Sequence, residues 1–143
     1  MSKIEDKIDA LDIMGDSLNE LAKNIIGQLE SFLNDAVAWQ MYEKGQDGYG
    51  KSLGQYKPST IKKKKAKGQR YDHITLRDTG AFHRALEVVL EEDGFYLKSN
   101  DWKSEKWIVP RWSESIFRPD SETLGLLTDE IRQQIVQQIK QLL

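Results

Sequence analysis

The chain has 143 residues, which is the size of one folded domain, so we expect a single domain over residues 1–143. Its 21 basic residues nearly balance 23 acidic residues, and a net charge of -2 argues against general attraction to nucleic acid or anionic lipid. Any such binding needs a local patch. The lack of cysteine excludes disulfides, thiol nucleophiles and cysteine-based metal centres.

The first residues alternate charged and isolated apolar side chains and lack the apolar core of a signal peptide. No later stretch approaches the roughly 20 apolar residues that a membrane helix needs. We therefore expect synthesis in the cytoplasm, no secretion by this route and no membrane contact.

Apolar residues recur at steps of four and three from Ile4 to Trp39, which is the pattern of an amphipathic helix. Gly15 interrupts the pattern, and a capping-box pair follows it. The sequence therefore predicts a short helical arm over residues 1–16 and a long helix over Ser17–Lys44. Such a stripe packs on its own domain or binds a partner's helix, and packing on its own domain is the commoner case.

Residues 45–70 combine five glycines with a run of lysines, and we interpret them as a flexible, solvent-exposed Gly/Lys-rich loop region. A basic run can hold phosphates through Coulomb attraction and counterion release. The commoner meaning of a short lysine run is a solvated, partly helical face without a ligand. The candidate nucleic-acid or partner contacts in this run are Lys62, Lys63, Lys64, Lys65, Lys67 and Arg70.

Farther along, Asp78 is a candidate cap for a helix from Thr79 to about Glu87. Apolar, β-branched and aromatic residues then flank Asp93-Gly94, which is a strong hairpin signal, so we expect a hairpin over Glu87–Ser99. Next come four aromatic residues at steps of five, with prolines that favour two short elements over one long helix.

A last amphipathic helix follows, capped by Asp120 or Ser121, with glutamines on or near its polar side. The expected fold is α+β, with a long N-terminal helix and a C-terminal helix packed on a small antiparallel sheet. The residues expected in its core are Phe32, Trp39, Phe82, Leu86, Val89 and Leu97.

No catalytic constellation is apparent in the sequence. His73 and His83 are the only histidines, and neither a zinc-binding helix motif nor a Gly-x-Ser-x-Gly elbow is present. We therefore expect a protein that is not an enzyme and that uses no cofactor, no metal and no catalytic residue.

Three segments carry a resemblance to a known family: Tyr56-Lys-Pro-Ser-Thr-Ile-Lys, Lys67-Gly-Gln and Thr75-Leu-Arg-Asp-Thr-Gly-Ala-Phe. Over roughly residues 38–125 the chain resembles the virion-morphogenesis or tail-completion proteins, of the head-tail connector type, of Bacteroides phages and prophages. The family-like helix-start motif comprises Leu76, Arg77, Asp78, Thr79, Gly80 and Phe82. Its physical role is to start a helix and dock it on the sheet, which makes it part of a scaffold.

The resemblance implies a structural protein of virion assembly that forms a homo-oligomeric ring and meets other phage proteins of the portal, connector or tail. It also implies a place in the cytoplasm of the bacterial host during assembly, and then in the virion. The alternative hypothesis is an accessory protein that contacts DNA, weakly or as its main task, through the Lys62–Arg70 segment.

Overall fold

The computed structural model describes residues 17–92 and 94–142. The fold is α+β, as expected from the sequence, with an N-terminal helix, a C-terminal helix and a two-stranded antiparallel sheet. The helical arm expected over residues 1–16 lies outside the described residues. In chain order the elements are α1 (residues 17–28), α2 (Glu30–Trp39), a π-helical turn (Gln40–Lys44), α3 (Pro58–Ala66), α4 (Ala81–Arg84), β1 (Leu86–Glu91), β2 (Gly94–Ser99), a second π-helical turn (Ser104–Ile108), α5 (Val109–Trp112), a 3-10 helix (Glu114–Phe117) and α6 (Ser121–Leu142).

The long helix expected over Ser17–Lys44 is present, with one interruption at Leu29 between α1 and α2. The amide of Leu29 donates to the carbonyls of both Ile25 and Ile26 at 3.1 Å, which tightens the chain at this point. At the far end Gly45 adopts a left-handed backbone with φ of 59°, a conformation that favours glycine. The predicted end near Lys44 is confirmed.

The core-facing side of α2 differs from the expected one. Leu33, Val37 and Met41 are each 0% exposed, whereas Phe32 and Trp39 are 41% and 54% exposed, so their expected burial is wrong. Each residue turns a helix by about 100°, so Phe32 lies beside the buried line and Trp39 lies nearly opposite Val37. The buried centre of α2 is therefore formed by Leu33 and Val37, which neighbour the predicted core residues.

The hairpin is confirmed, with Leu86 paired to Ser99 at one end and Glu91 paired to Gly94 at the other. Phe82, Leu86 and Leu97 are buried as expected. The side chain of Val89 is only half-buried, because it pairs with Tyr96 on the face of the sheet away from the core.

Helix α2 packs on β1, and this contact includes a polar link between the two elements. The Glu30 carboxylate accepts a hydrogen bond from the amide of Val88 at 3.1 Å. The contact places the buried line of α2 over the core-facing side of the hairpin.

The region interpreted as a loop over residues 45–70 contains helix α3, so that interpretation is wrong for Pro58–Ala66, where the partly helical lysine face is found instead. Pro58 occupies the first turn, where its missing amide costs nothing and its fixed φ suits a helix. No glycine or proline follows until Gly68, which lies just beyond the helix end and has a φ of 69°. A lysine-rich stretch of this kind therefore forms a regular helix.

After the hairpin, residues 102–112 are helical and Glu114–Phe117 form a 3-10 helix, which confirms two short elements. Their boundary is Ser113 rather than Pro110, because Pro110 lies in the first turn of α5, where a proline is tolerated. The residue at the boundary, Ser113, has a positive φ of 66°.

Asp120 caps α6 as expected, since its Oδ1 accepts a hydrogen bond from the amide of Thr123 at 2.8 Å. Partial burial alone would raise the pKa of Asp120, but hydrogen bonds from Thr123 and Lys44 lower it below its usual value. Leu127 is buried and Ile131 packs against the core. Within the described residues, the helices lack the combination of length and apolar character that crossing a membrane requires.

A group of polar contacts, which we call the polar junction, joins the end of the long helix to the chain before α6. Gln40 is 1% exposed. Its Nε2 donates to the Arg118 carbonyl at 3.0 Å, and its Oε1 accepts from the Asp120 amide at 3.0 Å. Because both ends of the amide are paired, its burial carries little desolvation penalty. The junction comprises Gln40, Asp47, Gly48, Ser115, Arg118 and Asp120.

The second half of the polar junction is a tight turn beside the 3-10 helix. Asp47 is buried, and its Oδ1 accepts from the amides of Tyr49 and Lys51, each at 2.9 Å. Its Oδ2 accepts from the Ser115 hydroxyl at 3.0 Å, and the Gly48 amide donates to the Ser115 carbonyl at 3.0 Å. The turn and the 3-10 helix are thus held together.

Replacing Gln40 with methionine should destabilise the protein strongly. The Gln40→Met side chain has a similar volume but leaves the Arg118 carbonyl and the Asp120 amide without their partner. We expect the free energy of unfolding to fall by about 2–4 kcal/mol, measured by urea denaturation. The exposed Gln133 is the control, and Gln133→Met should change the unfolding free energy by less than about 0.5 kcal/mol. Equal stability of the two variants would contradict the role of the junction.

The close contact between Gly48 and Arg118 leads to a second prediction about this junction. A Cβ at Gly48 would overlap the backbone carbonyl of Arg118, whereas a Cβ at Gly125 in α6 meets no atom within 4 Å. Gly48→Ala should therefore lower the unfolding free energy by about 1–3 kcal/mol. Gly125→Ala should raise it by up to about 1 kcal/mol, because alanine favours helix. Thermal unfolding of both variants checks the opposite signs.

Candidate functional site

The family-like motif and part of the lysine segment meet at one cleft of about 540 Å³, which we call the basic cleft. It lies between α3, the chain over residues 74–82 and the helical residues 103–112. Its apolar lining includes Ile74, Leu76, Phe82, Ile108 and Trp112. Its charged lining consists of Lys57, Lys63, Lys64, Lys67, Arg77, Asp78, Lys103 and Arg111.

The wall formed by α3 brings together only half of the residues predicted as contacts. Lys63, Lys64 and Lys67 line the basic cleft, whereas Lys62 and Lys65 lie on the same segment without lining it. Lys62, Lys63, Lys65 and Lys67 are exposed as expected. The helix therefore presents two sets of lysines, one toward the cleft and one away from it.

Lys64 contradicts the expectation that the whole lysine run is exposed, because it is only 8% exposed. Its Nζ donates to the Arg77 carbonyl at 2.9 Å and lies 4.7 Å from the centre of the Tyr56 ring. A buried ammonium needs such partners to offset its desolvation. Lys64 is thus a structural link between α3 and the family-like motif.

Arg70 lies outside the cleft, and its guanidinium is already paired. Its Nε donates to Asp72 and its Nη1 donates to Glu43, each at 2.7 Å. The hydrogen bonds that Arg70 donates to Asp72 and then to Glu43 raise its pKa further above the usual value. The same guanidinium is the main cause of the lowered pKa of Asp72. Arg70 therefore anchors local chain segments, and a phosphate would have to compete with two carboxylates for it.

The family-like motif forms the second wall through an unusual backbone. Leu76 has a positive φ of 54°, which side chains other than glycine adopt at a cost. On one side of it, Thr75 is 1% exposed and its amide donates to the Tyr56 hydroxyl at 2.9 Å. On the other side, the amide of Arg77 donates to Oγ1 of Thr75 at 3.2 Å. These bonds hold Leu76 in the cleft wall.

The expected cap at Asp78 is wrong, because helix α4 begins only at Ala81 after Gly80. Gly80 has a φ of 89°, and Thr79 makes the local bond to the Ala81 amide at 3.3 Å. Asp78 instead accepts from Gln69 at 3.0 Å. The amide of Gln69 and then the charge of Lys67 lower the pKa of Asp78. Its carboxylate therefore links the motif to the end of α3.

The third wall was not foreseen from the sequence. Trp112 donates from its indole Nε1 to the Leu53 carbonyl at 2.8 Å, which turns its ring into the cleft region. Arg111 lies over that ring at 4.3 Å, and Lys103 adds another cation. The spacing of the aromatic residues in the sequence indicates that Trp112 is a core or interface residue. That spacing does not predict a cleft.

The chemistry of the basic cleft suits an anionic ligand that also carries apolar groups. Seven of its lining residues are lysine or arginine and only Asp78 is acidic, although the whole chain has a net charge of -2. Low-dielectric walls with one sign of charge strengthen attraction to the opposite sign. The described residues that line the cleft include no histidine, and Asp78 is their only carboxylate.

The two histidines both bond to backbone carbonyls. Nε2 of His73 donates to the Tyr42 carbonyl at 2.7 Å, and Nε2 of His83 donates to the Thr75 carbonyl at 3.1 Å. Burial lowers the pKa of His83 to about 4, so its ring is neutral at pH 7. Among the described residues, no group of three or more His, Asp or Glu side chains is placed to hold a metal ion.

The lowered pKa of His83 predicts a pH-dependent stability. The unfolded ring titrates near 6.5 and the folded ring near 4, so the unfolded state binds more protons between these values. The stability contribution is complete above pH 6.5 and is lost as the pH falls toward 4, by at most about 3 kcal/mol. His83→Gln keeps an amide donor but does not titrate. Urea unfolding at pH 7, 6 and 5 should show a smaller loss in this variant, and equal slopes would contradict the assignment.

Comparison with known proteins finds no matching protein-family model, no matching curated protein and no matching solved structure.

Proposed function

We propose that this chain is a structural phage protein of virion assembly, a head-tail connector, neck or tail-completion component that forms a ring with other subunits. The observation that carries this proposal is exposed apolar surface, clearest at Trp102 and Trp107, which lie side by side around Lys106. Solvent-exposed patches of this kind mark sites of protein-protein contact. The role places the protein in the bacterial host cytoplasm during assembly and then in the virion.

An aromatic pair on the helical segment after the hairpin is the clearest of these surfaces. Trp102 and Trp107 are 65% and 61% exposed. Nζ of Lys106 lies 5.9 Å from the centre of the first ring and 5.8 Å from the second, so the two indoles share one face. Tryptophan is enriched among residues that contribute most to binding at interfaces. This pair suits an anchor that a neighbouring protein covers.

Helix α6 also exposes apolar side chains. Leu126, Val136 and Ile139 are 55%, 43% and 42% exposed on this helix. Phe32 and Trp39 expose apolar surface on α2 as well. Closed rings need a heterologous contact, in which one surface of a subunit meets a different surface of the next. A subunit with apolar surfaces on different elements provides the two halves of such a contact.

The resemblance to phage morphogenesis proteins supports the same role. The residues that carry it, from Tyr56 to Phe82, form α3, the cleft wall and the short helix α4. Partners of the kind that the family implies are portal, connector or tail proteins and other copies of this chain. No step of this role requires substrate turnover.

DNA contact is the alternative function, and the cationic lining of the basic cleft is the observation that favours it. Three of the six predicted contacts are engaged elsewhere, because Lys64 is buried and both Lys67 and Arg70 pair with carboxylates. A salt titration of duplex DNA binding separates the two functions. A DNA-dedicated protein should bind at physiological salt with a steep salt dependence, and an assembly protein should not.

Deleting the gene in its phage should leave heads and tails that do not join, because the connecting ring is missing. Electron microscopy of lysates provides the measurement. A gene copy with Trp102→Ser and Trp107→Ser should fail to restore joined particles, whereas Tyr96→Ser, at another exposed aromatic residue, should restore them. Normal tailed, infectious particles that lack the protein would refute the assembly role.

A further inference from the structure

We propose that the basic cleft binds the acidic segment of residues 1–16 from a second copy of this chain. This inference rests on the proposed ring, because it names a contact between neighbouring subunits. The cleft and the segment are different surfaces, so the contact is heterologous and can propagate from one subunit to the next.

Charge complementarity is the first argument. Residues 1–16 contain five acidic residues and two lysines, a net charge of 2 - 5 = -3. The cleft is lined by seven cations and one carboxylate. The two regions carry opposite charges, although the net charge of the whole chain is only slightly negative. Opposite potentials steer two surfaces together and set their register.

Apolar complementarity is the second argument. Ile4, Ile8 and Leu11 recur at steps of four and three, so a helical conformation of the segment would place them on one face. The cleft carries a matching strip, in which Leu76 and Trp112 are half-buried beside the buried Phe82. A groove with an apolar lining and a charged edge is the usual receptor for an amphipathic segment. A free phosphate or a simple acidic tail would use only the charged edge.

The start of α1 explains why the occupant comes from a second copy. Nδ2 of Asn19 donates to the Glu92 carbonyl at 3.2 Å, so α1 begins near the tip of the hairpin. Phe82 in the cleft precedes the opposite end of β1, whose six residues span about 20 Å. A helix of residues 1–16 would be about 24 Å long, so it would reach its own cleft only by lying back along the hairpin. A second copy is the favoured occupant, because a segment that leaves the tip of the hairpin in any other direction can meet only a neighbour's cleft.

Two exposed lysines in the cleft provide the first test, and two on the same segment provide its control. A fluorescent peptide of residues 1–16 is titrated with the full chain at low salt, and its anisotropy is followed. Lys63→Gln with Lys67→Gln should weaken binding about tenfold, because two ionic contacts are lost. Lys62→Gln with Lys65→Gln removes the same charge outside the cleft and should leave the affinity unchanged. Equal weakening by both pairs would overturn the assignment to the cleft.

A peptide with the same composition in scrambled order distinguishes the contribution of net charge to binding from that of the amphipathic pattern. It should bind at least about fivefold more weakly, because its apolar residues no longer share one face. A scrambled peptide that binds as well as the native one would overturn docking of an amphipathic segment. Displacement of the native peptide by duplex DNA at physiological salt would make the cleft a nucleic-acid site and would also overturn the proposal.

Mixing two full-length variants tests whether the contact joins two copies. One variant carries Asp6→Asn, Asp9→Asn and Asp12→Asn, and the other carries Lys63→Gln and Lys67→Gln. In sedimentation experiments each should stay monomeric alone, and the mixture should form a one-to-one complex through the remaining intact segment and cleft. No complex in the mixture would overturn the proposal. The proposal would also be overturned if the peptide bound much more tightly to the variant with the three Asp→Asn changes than to the native chain. That result would mean that the native segment covers the cleft of its own chain.

These measurements use purified protein, so their failure is distinguishable from failure of the assembly role. Separated heads and tails after gene deletion, together with no peptide binding, would remove this contact and leave the proposed function standing.

Discussion

The buried amide of Gln40 is the contact on which the rest of the architecture depends. It pairs with the backbone at Arg118 and Asp120, 78 and 80 residues farther along the chain. Through it, the end of the long helix determines where α6 starts. The neighbouring turn at Asp47 then holds the 3-10 helix, which positions α5 and its Trp112. Polar contacts of this kind require one geometry, whereas apolar packing alone tolerates several.

The basic cleft follows from this arrangement. The Leu53 carbonyl accepts a hydrogen bond from the Trp112 indole, and this bond joins the third wall to the chain that leads into α3. Lys64 and Tyr56 then connect α3 to the wall at Leu76. The cleft is therefore supported on each side by buried polar bonds, and its cations surround a site with a defined shape. A charged loop without such support would present the same residues without a fixed arrangement.

Local signals predicted the parts of the fold that local chemistry determines. The Asp93-Gly94 pair indicated the hairpin, Gly45 indicated the end of the long helix, and Asp120 indicated the start of α6. The buried face of α2 could not be predicted, because Phe32 and Leu33 are equally apolar and only packing on β1 chooses between them. Local cap chemistry failed at Asp78, where a contact with Gln69 replaces the cap.

The same distinction applies to the cleft. The lysine segment and the family-like motif lie close together in the chain, so the hydrogen bond from Lys64 to the Arg77 carbonyl joins residues only 13 positions apart. Lys103, Arg111 and Trp112 come from beyond the hairpin, and nothing local to them indicates that they return to α3. The pairing of Arg70 with Glu43 across 27 residues is likewise a product of the folded structure. Long-range contacts of this kind have no short sequence signature.

The π-helical turn at Gln40–Lys44 has a consequence for how this protein can change in evolution. A π turn bonds each residue to the fifth one along, so it accommodates one residue more than an α turn. Losing that residue would restore a regular helix, yet it would rotate everything downstream by about 100° relative to α2. The turn at Asp47 would then no longer meet Ser115. Substitutions at the exposed positions of this segment are therefore tolerated more readily than the loss of a single residue.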